Sequence, residues 1–112
     1  MIHFGDENLI MYNKAIRDKI PEIIKNSGNS CNVKTLNDDD FLIELEKKLK
    51  EELEEYFENK TIEELGDIVD VINRIVILKG VSSEDFKKIR SKKISTNGGF
   101  DKNFFLLDAE KD

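Results

Sequence analysis

The chain has 112 residues, 38% hydrophobic and 38% charged, with a formal net charge of −6. That length holds one modest domain, and a composition with no Trp, one Pro and six Gly points to a helix-rich fold rather than a disordered chain. The negative balance repels nucleic-acid polymers and anionic membranes, so neither is an expected partner.

Residues 1–11 form an N-terminal extension without periodicity, and 12–112 the single domain. The only histidine, His3, lies in the extension and reads as a surface residue, because metal sites are built from several ligands. Tyr12 to Ser27 predicts a first short helical region on Ile16, Ile20, Ile23 and Ile24, with Pro21 near a helix start and Gly28 as the stop. The polar stretch 29–40 predicts a loop with a short extended piece, and holds Cys31, whose solitude excludes an internal disulfide and fits a reducing compartment.

One of Asp38, Asp39 or Asp40 is the expected cap of a second helix over Phe41–Glu58, with an apolar stripe of Leu42, Leu45, Leu49, Leu53 and Tyr56. Thr61 opens a third helix to Leu78, and Thr61-Ile-Glu-Glu64 matches a capping box. Apolar residues cover most of that helix, which marks it as central or interfacial. A fourth helix over Glu84–Thr96 follows a Ser82 or Ser83 cap and ends at Asn97-Gly98-Gly99. The tail, with Phe100, Phe104, Phe105, Leu106 and Leu107, is expected to dock on the bundle or on a partner subunit. The fold class is therefore all-α: an antiparallel bundle of about four helices with irregular ends, its small core completed by oligomerisation. No signal-like start and no apolar run of roughly 20 residues is present, so the expected location is cytoplasmic.

Chemistry concentrates between Glu51 and Asp70. Glu52/Glu55 and Glu64/Asp67 are two carboxylate pairs, each three residues apart on one helical face. In a helical hairpin all four converge, and an oxygen-only cluster suits Mg²⁺ or Mn²⁺. Projection at about 100° per residue puts Glu52 and Glu64 at or inside the apolar sectors, with Glu55 and Asp67 beside them. Glu51, Glu54 and Glu58 project away and read as solvated, with Lys48 and Lys50 available for surface pairs. The competing structural uses are a charged helix flank for Glu52 and Glu55, the capping box for Glu64 and a favourable first-turn charge for Asp67. Asp70 projects further out, as a supporting or extra ligand. Lys14, Arg17 and Lys19 gather in the first region and Lys93 in a basic fourth helix; such cations neutralise phosphate oxygens.

With Glu52-Leu-Glu-Glu55 followed by Glu64-Leu-Gly-Asp67, and with YNKAIRDKIPEII and NGGFDKNFFL flanking them, the chain resembles the MazG-like nucleotide pyrophosphohydrolases of the all-α NTP pyrophosphatase superfamily. The flanking blocks are similar to a small phosphoribosyl-ATP pyrophosphohydrolase-like branch. The resemblance runs from about Tyr12 to Leu107. It implies a dimeric or larger homo-oligomer that cleaves a nucleoside triphosphate to the monophosphate and pyrophosphate. Glu52, Glu55, Glu64 and Asp67 are then the Mg²⁺ ligands, Glu55 the catalytic base, and Lys14, Arg17, Lys19 and Lys93 the phosphate ligands. Only eight residues separate Glu55 from Glu64, which leaves little room for a base-recognition loop. The alternatives are phosphoribosyl-ATP as substrate, or a non-catalytic helical interaction module.

Overall fold

A computed structural model describes residues 9–111; His3 and most of the 1–11 extension lie outside them. The described chain is all-helical: α1 (Ile20–Asn26), α2 (Asp38–Asn59), α3 (Ile62–Leu78) and α4 (Ser83–Asn97), with no strand among the described residues. Each of the three long helices starts on a capping side chain. Asn37 Oδ1 accepts the Asp40 N–H at 2.8 Å, Thr61 Oγ1 the Glu64 N–H at 3.3 Å, and Ser82 Oγ the Asp85 N–H at 3.1 Å. The cap of α2 is thus Asn37, not one of the three aspartates, which instead occupy its first turn, where negative charge meets the positive end of the helix dipole.

The first helical region is shorter than its isoleucine spacing suggests. Only Ile20–Asn26 is helical, and Tyr12–Lys19 is irregular, with Asn13 at φ 46°. Pro21 has no N–H to donate to the carbonyl of Arg17, so an α-helix cannot propagate through this point from the N-terminal side. The non-helical stretch is put to other use, since Ala15 is one of the few buried residues of the chain.

The α2–α3 hairpin is the structural centre. Its two-residue link places Lys60 in the left-handed region (φ 59°), where its N–H donates to the Tyr56 carbonyl at 2.7 Å. The Lys60 ammonium lies 4.8 Å from the Phe57 ring centroid, a cation–π contact that offsets part of the cost of that backbone for a non-glycine residue. Leu45, Val71, Ile75 and Ala15 form the core, with Phe41, Leu42, Leu49 and Leu78 packed around it. α4 packs on α3 alone, and α1 packs on no other helix.

This core is small for the chain. The radius of gyration is 20.1 Å, against about 13 Å for a compact domain of this length. The accessible surface is 10552 Å², against about 6,300 Å² for a folded monomer of this mass. The C-terminal aromatic segment does not dock on the chain's own bundle: Phe100, Phe104, Phe105, Leu106 and Leu107 are all exposed. No helix among the described residues is long and apolar enough to cross a membrane.

Candidate metal centre

Antiparallel packing of α2 against α3 sets the last turns of one helix beside the first turns of the other, so the two carboxylate pairs meet across the hairpin. Glu52, Glu64 and Asp67 each offer an oxygen, and these atoms lie within 4.8 Å of one another. Glu52 is only 6% exposed, the sole buried charged residue among those described, while Glu64 and Asp67 are half-buried. Lys48, one turn earlier on α2, approaches one Glu52 oxygen at 3.6 Å. The other, Oε2, is buried without a hydrogen-bond partner, and so is Oε2 of Glu64. Buried carboxylate oxygens without donors are costly, and three acidic groups at this spacing call for positive charge between them.

The capping role of Glu64 is half realised. Its backbone N–H is held by Thr61, but its side chain is directed to the cluster, with the Asn59 amide donating to Oε1 at 3.5 Å. Capping and a ligand role are therefore compatible, because they use different atoms of the residue. Glu55 stands beside the trio. Its proton affinity is raised above the ordinary carboxylate value, chiefly by the negative charge of Glu52, then by burial.

Two basic residues of the irregular N-terminal stretch reach the acidic face. Arg17 donates to Asp67 Oδ1 at 2.7 Å through Nη2 and pairs with Asp70 Oδ2 at 2.9 Å through Nη1. Its hydrogen bonds to Asp70, then to Asp67, hold its proton more firmly than usual. Lys14 Nζ donates to Glu51 Oε1 at 2.9 Å, which raises the lysine and lowers the glutamate relative to their ordinary values. Glu51 is therefore not the solvated residue that projection on a single helix suggests: Lys14 crosses over α2 and engages it. Asp70 holds Arg17 and does not join the trio. The cleft beside the cluster, of about 550 Å³, is lined by Arg17, Lys48, Glu52, Asp67, Asp70 and Arg74 among others.

Lys19 is the exposed residue that begins α1 and does not line this cleft. Lys93 lies apart as well, in a groove of about 420 Å³ on α4 with Arg90, Lys92 and Asn97. Of the cleft cations, Arg74 was not singled out in the sequence, and Lys48, expected in a surface pair, approaches buried Glu52 instead. For Lys48 the signal was its position four residues before Glu52, the spacing of a helical ion pair. For Arg74 the signal was its place one turn beyond Asp70 on the same helix face.

No family model and no solved structure matches the chain. Over 42 residues, 38% of this chain and 43% of the other protein, it is 45% identical to an uncharacterized protein of Mycolicibacterium smegmatis. The match thus spans less than half the length of that relative.

Proposed function

We propose that this chain hydrolyses a nucleoside triphosphate, including non-standard ones, to the monophosphate and pyrophosphate, with Mg²⁺ as cofactor and Mn²⁺ as a substitute. The observation that carries this reading is the approach of Glu52, Glu64 and Asp67 to within 4.8 Å, with one buried oxygen of Glu52 and one of Glu64 left without a donor. The donor set is oxygen only, which fits a hard divalent cation and not a thiolate- or imidazole-seeking metal. When bound, such an ion neutralises phosphate oxygens and acidifies an attacking water.

The chain's own residues divide the remaining work. Glu52, Glu64 and Asp67 hold the cation, with Glu55 as fourth ligand. Glu55, through an oxygen not used in coordination, accepts the proton of the attacking water. Arg17 and Lys14 neutralise the phosphates, and Asp70 positions Arg17 for that role. Lys19, outside the cleft lining, and Lys93, on α4 away from the cleft, reach a phosphate from a neighbouring subunit. The resemblance of three ordered blocks to MazG-like pyrophosphohydrolases supports the reading. It brings with it a homodimer or larger homo-oligomer, and the lone Cys31 fits the reducing cytoplasm.

The test is incubation of the purified chain with a panel of nucleoside triphosphates and Mg²⁺, with pyrophosphate and orthophosphate assayed separately. Pyrophosphate release is the expected result. Preferential turnover of phosphoribosyl-ATP selects that substrate instead. A folded protein that turns over none of them, and whose metal affinity is unchanged by Glu64→Gln, is a non-catalytic helical module.

A further inference from the structure

The proposed reaction places one part of the substrate and leaves the base unassigned. Cleavage between the first and second phosphates sets the α-phosphate at Glu52, Glu64 and Asp67, so the base lies one sugar away from them. Only eight residues separate Glu55 from Glu64, too few for a loop that reads a base, and selection falls to side chains of the helices themselves. The cleft supplies them on one side of the trio. Its lining runs on α2 from Glu52 back to Phe41 and on α3 from Asp67 on to Arg74, away from the Lys60 link. At a rise of about 1.5 Å per residue, Leu45 on α2 and Arg74 on α3 both stand about 10 Å along the hairpin from the trio.

The two ends of the cleft differ in kind. Near the trio it is ionic: Lys48 Nζ lies 3.6 Å from Glu52 Oε1, and Arg17 joins Asp67 to Asp70. At the far end Phe41, Leu45 and Val71 make an apolar wall. The whole cleft, about 550 Å³, falls in the range of small-molecule sites. A flat heterocycle suits the apolar end, whereas a diphosphate would lose its hydration there without repayment.

Arg74 is the cation at that end. Asp70, one turn earlier on α3, is its natural ion-pair partner, but the Asp70 carboxylate is engaged by Arg17 at 2.9 Å. Among the described residues Arg74 is the one cleft cation without an ion pair. A guanidinium offers a planar fork of N–H donors and no acceptor. A 6-oxopurine presents O6 and N7 as adjacent acceptors that match this fork, whereas adenine sets its N6 amino donor beside N7.

We infer that the cleft takes the nucleoside half of the substrate and that Arg74 selects a 6-oxopurine, guanine or hypoxanthine, by a paired contact to O6 and N7. The inference rests on the pyrophosphohydrolase reading for the place of the α-phosphate, while base selection uses a residue outside the metal centre.

The test compares guanosine and inosine triphosphates with adenosine triphosphate as substrates of the full chain with Mg²⁺, and titrates the three monophosphates into ¹⁵N-labelled chain. The kcat/KM ratio is expected to favour the 6-oxopurines by about 10- to 100-fold, and their monophosphates to shift the Arg74 Nε–H resonance where adenosine monophosphate does not. Arg74→Ala is expected to bring the ratio close to unity. Arg74→Gln, whose amide pairs with N6 and N7 of adenine, is expected to invert it, an outcome that loss of structure cannot produce. A ratio near unity in the parent, or one unchanged in either variant, overturns the inference and leaves the pyrophosphohydrolase reading standing. Absence of turnover with every triphosphate overturns that reading. The base site then stands if guanosine and inosine monophosphates still bind in preference to adenosine monophosphate, and falls if they do not.

Discussion

Arg17 donates to Asp67 Oδ1 at 2.7 Å, so a guanidinium engages one of the carboxylates assigned to the cation. Arginine and metal therefore compete for Asp67, and the pair is half exposed, which limits its strength to about 1 kcal/mol or less. Arg17→Ala is expected to tighten Mg²⁺ binding in the absence of nucleotide by about 3-fold, measured by isothermal titration. The same substitution is expected to lower kcat/KM for the triphosphate by about 100-fold, through loss of a charge-assisted phosphate contact. Parallel losses of metal affinity and activity would show that Arg17 builds the metal site instead of competing with it.

Glu64→Gln removes one negative charge from the cluster while keeping the side-chain volume and the Thr61 cap, which uses the backbone. The metal-free variant is expected to be more stable than the parent by about 1 kcal/mol, through relief of like-charge repulsion. Thermal melts should reveal a crossing: the parent gains several degrees in Tm with millimolar Mg²⁺, and the variant gains little. An equal Mg²⁺ response in both proteins would rule out Glu64 as a ligand.

The two glutamates on either side of Glu52 titrate in opposite directions. The proton affinity of Glu55 is raised, so its ionised form costs stability above the ordinary carboxylate value, and that cost disappears as pH falls through the raised midpoint. Glu51 is lowered by Lys14, so its contribution is present above the ordinary value and is lost as pH falls through the depressed midpoint. Carboxyl ¹³C shifts followed from pH 7 downward in metal-free protein should show Glu55 protonating first and Glu51 last. The reverse order would show that the charge of Glu52 does not raise the proton affinity of Glu55.

Leu45 sits in a core of only four buried side chains contributed by the N-terminal stretch, α2 and α3. Leu45→Ala is expected to cost about 3 kcal/mol, a large share of the stability of so small a core, read as a lowered urea midpoint at unchanged m. Lys14→Ala, which removes a half-exposed ion pair, is expected to cost less than about 1 kcal/mol.

Much of this arrangement was legible in the residues. The period of Leu42, Leu45, Leu49 and Tyr56 and the density of aliphatic residues after Thr61 located α2 and α3 to within a few positions. Glu64 stood out because it falls inside the apolar sector of its helix, and Glu52 because it lies at the edge of the apolar stripe. What escaped has a common cause: projection treats a helix as solitary. The Lys14 bond to Glu51 depends on an irregular strand crossing α2, and no local periodicity encodes that crossing. The choice of Asn37 over three adjacent aspartates turns on where the backbone leaves its extended conformation, since each of the four side chains can cap amide hydrogens two or three residues further on. The exposure of the tail's apolar side chains follows from where α4 points, which is set by its packing on α3 alone.

The two-residue link at Lys60 and Thr61 also bears on kinetics. Because every candidate metal ligand lies within sixteen positions, Glu52 to Asp67, the site closes through local contacts, and structures dominated by such contacts form in microseconds to milliseconds. Mutual repulsion among these carboxylates opposes hairpin closure, so a divalent cation bound between them is expected to raise the rate at which the hairpin forms as well as to stabilise the finished fold.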